Sequence, residues 1–176
     1  MLKKVLLALA VIIAVFIVVV ALQPSDFRVA RSTVIAAPAP RVFAQVNDFH
    51  KWEAWSPWAK LDPAAKAVFE GPPAGEGAIF KWAGNREVGE GTMTLTQSRP
   101  SDLVRIKLDF VKPMVASNDV EFTFKPRGDQ TEVTWAMSGH NGFIGRAICM
   151  FMNMDKTVGG QFEKGLASLK AVAEAR

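Results

Sequence analysis

The sequence has no tyrosine, a single cysteine and only two histidines among 176 residues. With Cys149 alone, an internal disulfide is excluded, and at this chain length its absence does not identify the redox compartment. Cys149, His50 and His140 are too few and too widely separated to give a metal-ligand spacing, so neither a metal nor another cofactor is implied. No G-x-S-x-G occurs. "GPPAGEG" at Gly71 to Gly77 lacks the Lys-Ser/Thr ending of a phosphate loop and reads as a turn between strands. Setting aside Lys3 and Lys4 leaves 19 basic against 17 acidic residues, a net of +2. The pI of about 9.4 is therefore no argument for nucleic acid, and no basic patch with interleaved aromatics supports one. Repeats, linkers and low-complexity segments are missing too. What remains is globular in composition, 49% hydrophobic and 22% charged, and one domain accounts for it.

Long apolar runs occur once. Val5 to Leu22 is an uninterrupted run of 18 residues behind Lys3-Lys4; at about 1.5 Å per residue it nearly spans a hydrocarbon core of about 30 Å. Residues 1–23 are expected to be an uncleaved membrane anchor and residues 24–176 a soluble domain. A cleaved signal peptide is the alternative, with Val19-Val20-Ala21 as a weak cleavage site, but the run exceeds the usual h-region and lacks an A-x-A ending. The lysine pair favours a single-pass protein with a cytoplasmic N-terminus and the domain outside the cytoplasm, although Arg28 and Arg31 on the far side oppose that bias.

Beyond Ser25 the pattern alternates. Phe27, Val29, Thr33 and Ile35 share one parity of a first strand; Pro38 and Pro40 then open a short helix carrying Val42, Phe43, Val46 and Phe49. "KWEAWSPWAKLDP" follows, placing Trp52, Trp55 and Trp58 three residues apart in a polar stretch. From Lys66 to His140 the chain reads as successive strands. One parity carries Ala78, Phe80 and Trp82; Met93 and Leu95; Val104, Ile106, Leu108 and Phe110; Val120, Phe122 and Phe124; and Val133, Trp135 and Met137. The other carries Arg105, Lys107 and Asp109, then Glu121, Thr123 and Lys125, as expected for an antiparallel sheet wet on one face. "KPRGDQT" is a hairpin loop with Gly128-Asp129 at its tip. Phe143 to Ala175 is expected to be one long helix, with Ile144, Ile148, Phe151, Val158, Phe162, Leu166 and Leu169 facing the sheet. Gly159, Gly160 and Gly165 in it point to close approach or a bend.

This order, with "APAPRVFAQVNDFHKWEAWSPW", "DFVKPM", "TEVTWAMSG" and "MDKTVGGQFEKGLASLK" in sequence, resembles the SRPBCC (START/Bet v 1-like, helix-grip) superfamily and, within it, the polyketide cyclase/dehydrase-like group. The resemblance implies an α+β helix-grip fold: a curved antiparallel sheet wrapped around a long C-terminal helix, with a hydrophobic cavity between them. Trp52, Trp55 and Trp58 would then cover its mouth, or else merely cap the core. Phe80, Trp82, Met93, Phe110 and Met114 would line the cavity from the early strands, Phe122, Trp135 and Met137 from the late ones, and Ile148, Phe151 and Asp155 from the helix.

Three functions compete. An anchored domain that binds a hydrophobic small molecule or lipid uses every feature present. An enzyme of the cyclase, dehydratase or hydrolase kind is the weaker reading, because no acid–base pair is visible and fold alone does not transfer function. His50 and His140 read as solvent-facing or capping residues, Cys149 as a buried inert thiol, and Glu76, Arg86, Glu87 and Glu90 as a solvated rim. The third is an envelope protein-interaction domain whose cavity is filled by its own side chains. Asp155, the one charge intruding on the apolar helix stripe, either binds a polar ligand group or sits at a bend paired with Lys156 or water.

Overall fold

The computed structural model of the chain describes residues 1–175; Arg176, the last residue of the expected domain, lies outside them. The apolar run forms α1 (Leu2–Ala21), with mean hydropathy 3.1 and only Val20 buried. Four residues, Leu22 to Ser25, separate it from β1 (Asp26–Ile35). Next come α2 (Ala39–Val46), opened by proline in its first turn, and a 3₁₀ turn (Phe49–Ala54) capped by Asp48, whose carboxylate accepts from the His50 N–H.

Six strands follow: β2 (Lys66–Glu70), β3 (Ile79–Ala83), β4 (Glu90–Arg99), β5 (Leu103–Lys112), β6 (Ala116–Arg127) and β7 (Gln130–His140). They form an antiparallel sheet in the order β1-β7-β6-β5-β4-β3-β2, so the first strand closes onto the last strand of the meander. Register places the apolar parity on one face, pairing Ile106 with Val120, Phe122 with Trp135 and Phe124 with Val133. The other face is a solvated ladder of Arg105–Glu121, Lys107–Asp119 and Lys81–Glu70 pairs. Such exposed pairs each contribute about 1 kcal/mol at most. They fix which face stays wet.

The expected single C-terminal helix is broken. α3 (Phe143–Cys149) ends, Met150 to Asn153 connect, and α4 (Met154–Glu174) begins on a new axis. The cause is local: the Asn153 side chain accepts from the Lys156 N–H at 2.9 Å, capping α4, and Asp155 adds negative charge to its first turn. Only α4 lies on the sheet. A Cβ at Gly159 would collide with the Arg31 guanidinium, and one at Gly165 would come within 2.7 Å of the Trp135 ring, so both glycines serve close approach. Gly160 faces open space, and nothing in the structure explains it. The far end of α4 is tied to the β1–α2 corner, where the Lys170 ammonium donates to the Val34 carbonyl and the Ala36 N–H to Glu174.

Candidate functional site

The space between sheet and α4 is of two kinds. In its interior, Trp135 lies between Phe162, stacked at 4.2 Å, and Phe122, stacked at 4.8 Å, with the edges of Trp52, Trp55 and Trp58 against it. Trp55 is 1% and Trp135 2% exposed. The Trp52 and Trp55 indole N–H groups donate to the carbonyls of Val46 and Gln45 at 2.9 and 3.1 Å, pinning the 3₁₀ turn to the end of α2. These two rings therefore belong to the core and do not cover a mouth, because satisfied N–H groups allow both to be fully dried. Trp58 alone of the three is half-buried. The buried Trp135 N–H has no acceptor among the described residues.

Toward the end of the sheet where α1 leaves, burial falls from one row of residues to the next. Val29, Met137, Val120, Ile106 and Leu95 stand side by side across five strands, and all are buried. One row nearer α1 stand Phe27, Gly139, Asn118, Leu108, Met93 and Phe80, of which every apolar side chain is only half-buried. Trp82 and Phe110 flank Gly91 beyond them, their rings edge-to-face at 5.7 Å, and the Trp82 N–H donates to the Val88 carbonyl. Two side chains at the start of α4, Met154 and Val158, are half-buried against the core cluster. Here the inner face is incompletely covered.

Asn118 is the one polar side chain in that row. It is 7% exposed; the described residues give its amide no hydrogen bond, and its polar atoms are not sealed off from solvent. Its carbonyl oxygen lies over Gly139 beside the Phe27 ring, in the space a Cβ at that glycine would occupy. An amide at the edge of the core with no protein partner leaves an acceptor and a donor for a polar group positioned there. The sequence carried the signal: Asn118 interrupts the apolar parity of Val120, Phe122 and Phe124. A cleft of about 530 Å³ leads to this row from outside, bounded by Pro24 and Phe27, Asn141, and Met150 to Met154. Phe27 belongs to both, and Met154 at the cleft also packs on the core.

The other expected site residues are dispersed. Met114 lies exposed on the β5–β6 turn; Ile148 is half-buried on α3; and Phe151 is 80% exposed in the α3–α4 connection, since the helix break swings both off the sheet. Asp155 neither faces the interior nor pairs with Lys156. It accepts two hydrogen bonds from Arg31 of β1, at 2.9 and 3.0 Å, and Glu163 accepts a third at 2.6 Å. The Arg31 hydrogen bonds hold the Asp155 carboxyl below its ordinary range and push the guanidinium further up. A carboxylate so depressed contributes at neutral pH and ceases to as pH falls through its lowered folded-state value, so this tether of α4 to β1 is an acid-labile one. His50 stacks on Phe69 at 4.1 Å and His140 pairs with Asp26 at 2.9 Å on the wet face, as expected for solvent-facing groups. Cys149 is half-buried rather than buried, with its sulfur accepting from Asn141 at 3.6 Å. Glu76 sits at the opposite end of the sheet from Arg86, Glu87 and Glu90, so those four form no cluster.

Residues 26–174 match the family model described as "Polyketide cyclase / dehydrase and lipid transport". No curated protein sequence matches. Among solved structures, one similar fold is the di-domain ARO/CYC StfQ from the steffimycin biosynthetic pathway (TM-score 0.65, 12% identity, 85% of this chain and 51% of that one). Another is a Thermobifida fusca protein solved by NMR (0.62, 21%, 83% and 92%). A third is the Aha1 dimer from Colwellia psychrerythraea (0.60, 16%, 84% and 96%). At these identities the likeness concerns the fold.

Proposed function

Taking as premise that the chain belongs to the polyketide cyclase/dehydrase and lipid transport family, we propose that it is a membrane-anchored module that binds a hydrophobic small molecule or lipid. The observation that carries this is the half-covered row at the α1 end of the sheet. Phe27, Leu108, Met93 and Phe80 leave apolar area for a chain or ring to cover, and Asn118 offers its amide to one polar group of the ligand. The interior beyond it is closed by the Trp52–Trp55–Trp135 cluster, so the ligand lies along the row and the cleft. α1 supports the anchor: a helix of 20 apolar-rich residues that meets the domain at its C-terminal end, where Val20 is buried and α3 touches it, leaves the rest of its apolar surface to fit a hydrocarbon core. It keeps the cleft beside a reservoir of such ligands.

Contact quenching tests the site. A brominated fatty acid added to a chain starting at Ser25, which keeps the core cluster between sheet and α4, is expected to quench tryptophan emission, and Trp82→Phe is expected to remove the largest share of that quenching. Five indoles and no tyrosine give the emission, and Trp82 is the half-buried one beside the row. Absence of quenching, or quenching that persists undiminished in Trp82→Phe while Trp52→Phe abolishes it, would contradict the placement.

A further inference from the structure

Along β1, β7, β6 and β5, the strands nearest α1, the turns at the two ends differ in kind. At the end away from α1, the β4–β5 turn carries the Arg99–Asp102 pair and the β6–β7 turn carries Arg127, Gly128 and Asp129. At the α1 end, the β5–β6 turn exposes Met114 and Val115, the latter 88% exposed, and α3 with its following connection exposes Ile144, Phe151 and Met152. Register puts these on one end: Asp26 stands opposite His140, Asn118 opposite Gly139, and the turn at 113–115 lies just beyond. Scattered exposed apolar side chains need no explanation. A set gathered around the exit of α1 does, since the charged β3–β4 turn with Arg86 and Glu87 lies at the far lateral edge of the same end.

From this placement we infer that the α1 end of the domain is a bilayer-docking face, in which the β5–β6 turn and the α3–α4 connection insert into the lipid interface. The inference rests on α1 being the anchor. Its 20 residues span about 30 Å, so its end at Ala21 lies at the interface. Leu22 to Ser25 reach at most about 14 Å even when extended. They are not free to extend, because Arg146 of α3 donates to the Ala21 carbonyl at 2.9 Å and the Asn141 N–H to the Ser25 carbonyl at 2.7 Å. The anchor therefore holds α3 and its connection against the lipid headgroups, and lipid is the occupant the exposed side chains meet. Around the exit of α1 charge is paired off: Lys112 at the end of β5 pairs with Glu90 at 2.6 Å, and Asp26 with His140. Zwitterionic lipid suffices, and salt does not undock the face. The cleft is bounded by Met150 to Met152, so docking turns its opening to the acyl chains and gives a lipid a route that never crosses water.

The test uses the full chain in phosphatidylcholine vesicles, with Cys149→Ser removing the native thiol and an environment-sensitive fluorophore attached in turn at Val115→Cys, Phe151→Cys and Gly128→Cys. Docking predicts blue-shifted emission at 115 and 151 that loses most of its intensity to spin-labelled lipids, unchanged by high salt, while the label at 128 stays water-like and unquenched. Equal, water-like emission at all three positions from chains that resist carbonate extraction overturns the docked face and leaves the anchor standing. A blue shift without lipid quenching identifies a second protein copy as the occupant and overturns it too. Chains released from the vesicles by carbonate overturn the anchor and the docked face together.

Discussion

Replacing Trp135 by alanine is expected to remove about 3–5 kcal/mol of folding stability, a large part of the 5–15 kcal/mol that holds a domain of this size. The ring is stacked on both faces, by Phe122 and Phe162, and touched at its edges by Trp52, Trp55 and Trp58. Few of these neighbours can collapse into the gap, because each is itself locked, Trp52 and Trp55 by their hydrogen bonds to the end of α2. The Trp135 N–H takes no bond with it when removed, so nearly all the loss is packing and cavity. Urea unfolding of the chain starting at Ser25 measures it. A loss below about 1 kcal/mol would mean that this interior is loose and could itself admit a ligand, against the division into a filled and an open part.

Asn118→Leu is expected to separate stability from ligand affinity. The described residues give the amide no hydrogen bond, so an apolar side chain of similar volume gives up no protein bond and leaves stability within about 1 kcal/mol of the parent. Ligand affinity falls about tenfold, the equivalent of one lost hydrogen bond at about 1.4 kcal/mol. A residue with a purely structural role would show a loss of stability with affinity intact. That outcome, read from unfolding and fatty-acid titration of the same protein, would remove Asn118 from the site.

Much of the fold was legible because a sheet wet on one face imposes a period of two. The parities carrying Ile106, Phe122 and Trp135 inward and Arg105, Lys107 and Glu121 outward appear in the register as read. The site was less legible, for identifiable reasons. Ile144, Ile148 and Phe151 keep helical spacing with Val158 and Phe162, and spacing cannot tell an apolar side chain that packs on a sheet from one that faces outward after a break. The break itself is set by Asn153, whose capping role competes with three residues of good helical pattern around it. Trp52 and Trp55 at three-residue spacing fitted a lid as well as a core; acceptors ten and six residues upstream decided the matter, and no local pattern announces those. Asp155 stood out correctly as an intruder, but its partner Arg31 lies 124 residues away. Asn118 is the polar residue on an apolar parity, and only its place in the half-covered row, with no protein partner for its amide among the described residues, turns that irregularity into a candidate site.

The most direct test of the account is native mass spectrometry of the full chain extracted from its membrane in mild detergent. A hydrophobic ligand bound along the Phe27–Asn118–Phe80 row predicts one retained small molecule or lipid per chain, surviving detergent removal in the gas phase and lost from Asn118→Leu at equal protein. The bare mass of a folded chain, unchanged after incubation with excess lipid, would contradict it and leave a domain whose interior is filled by its own side chains.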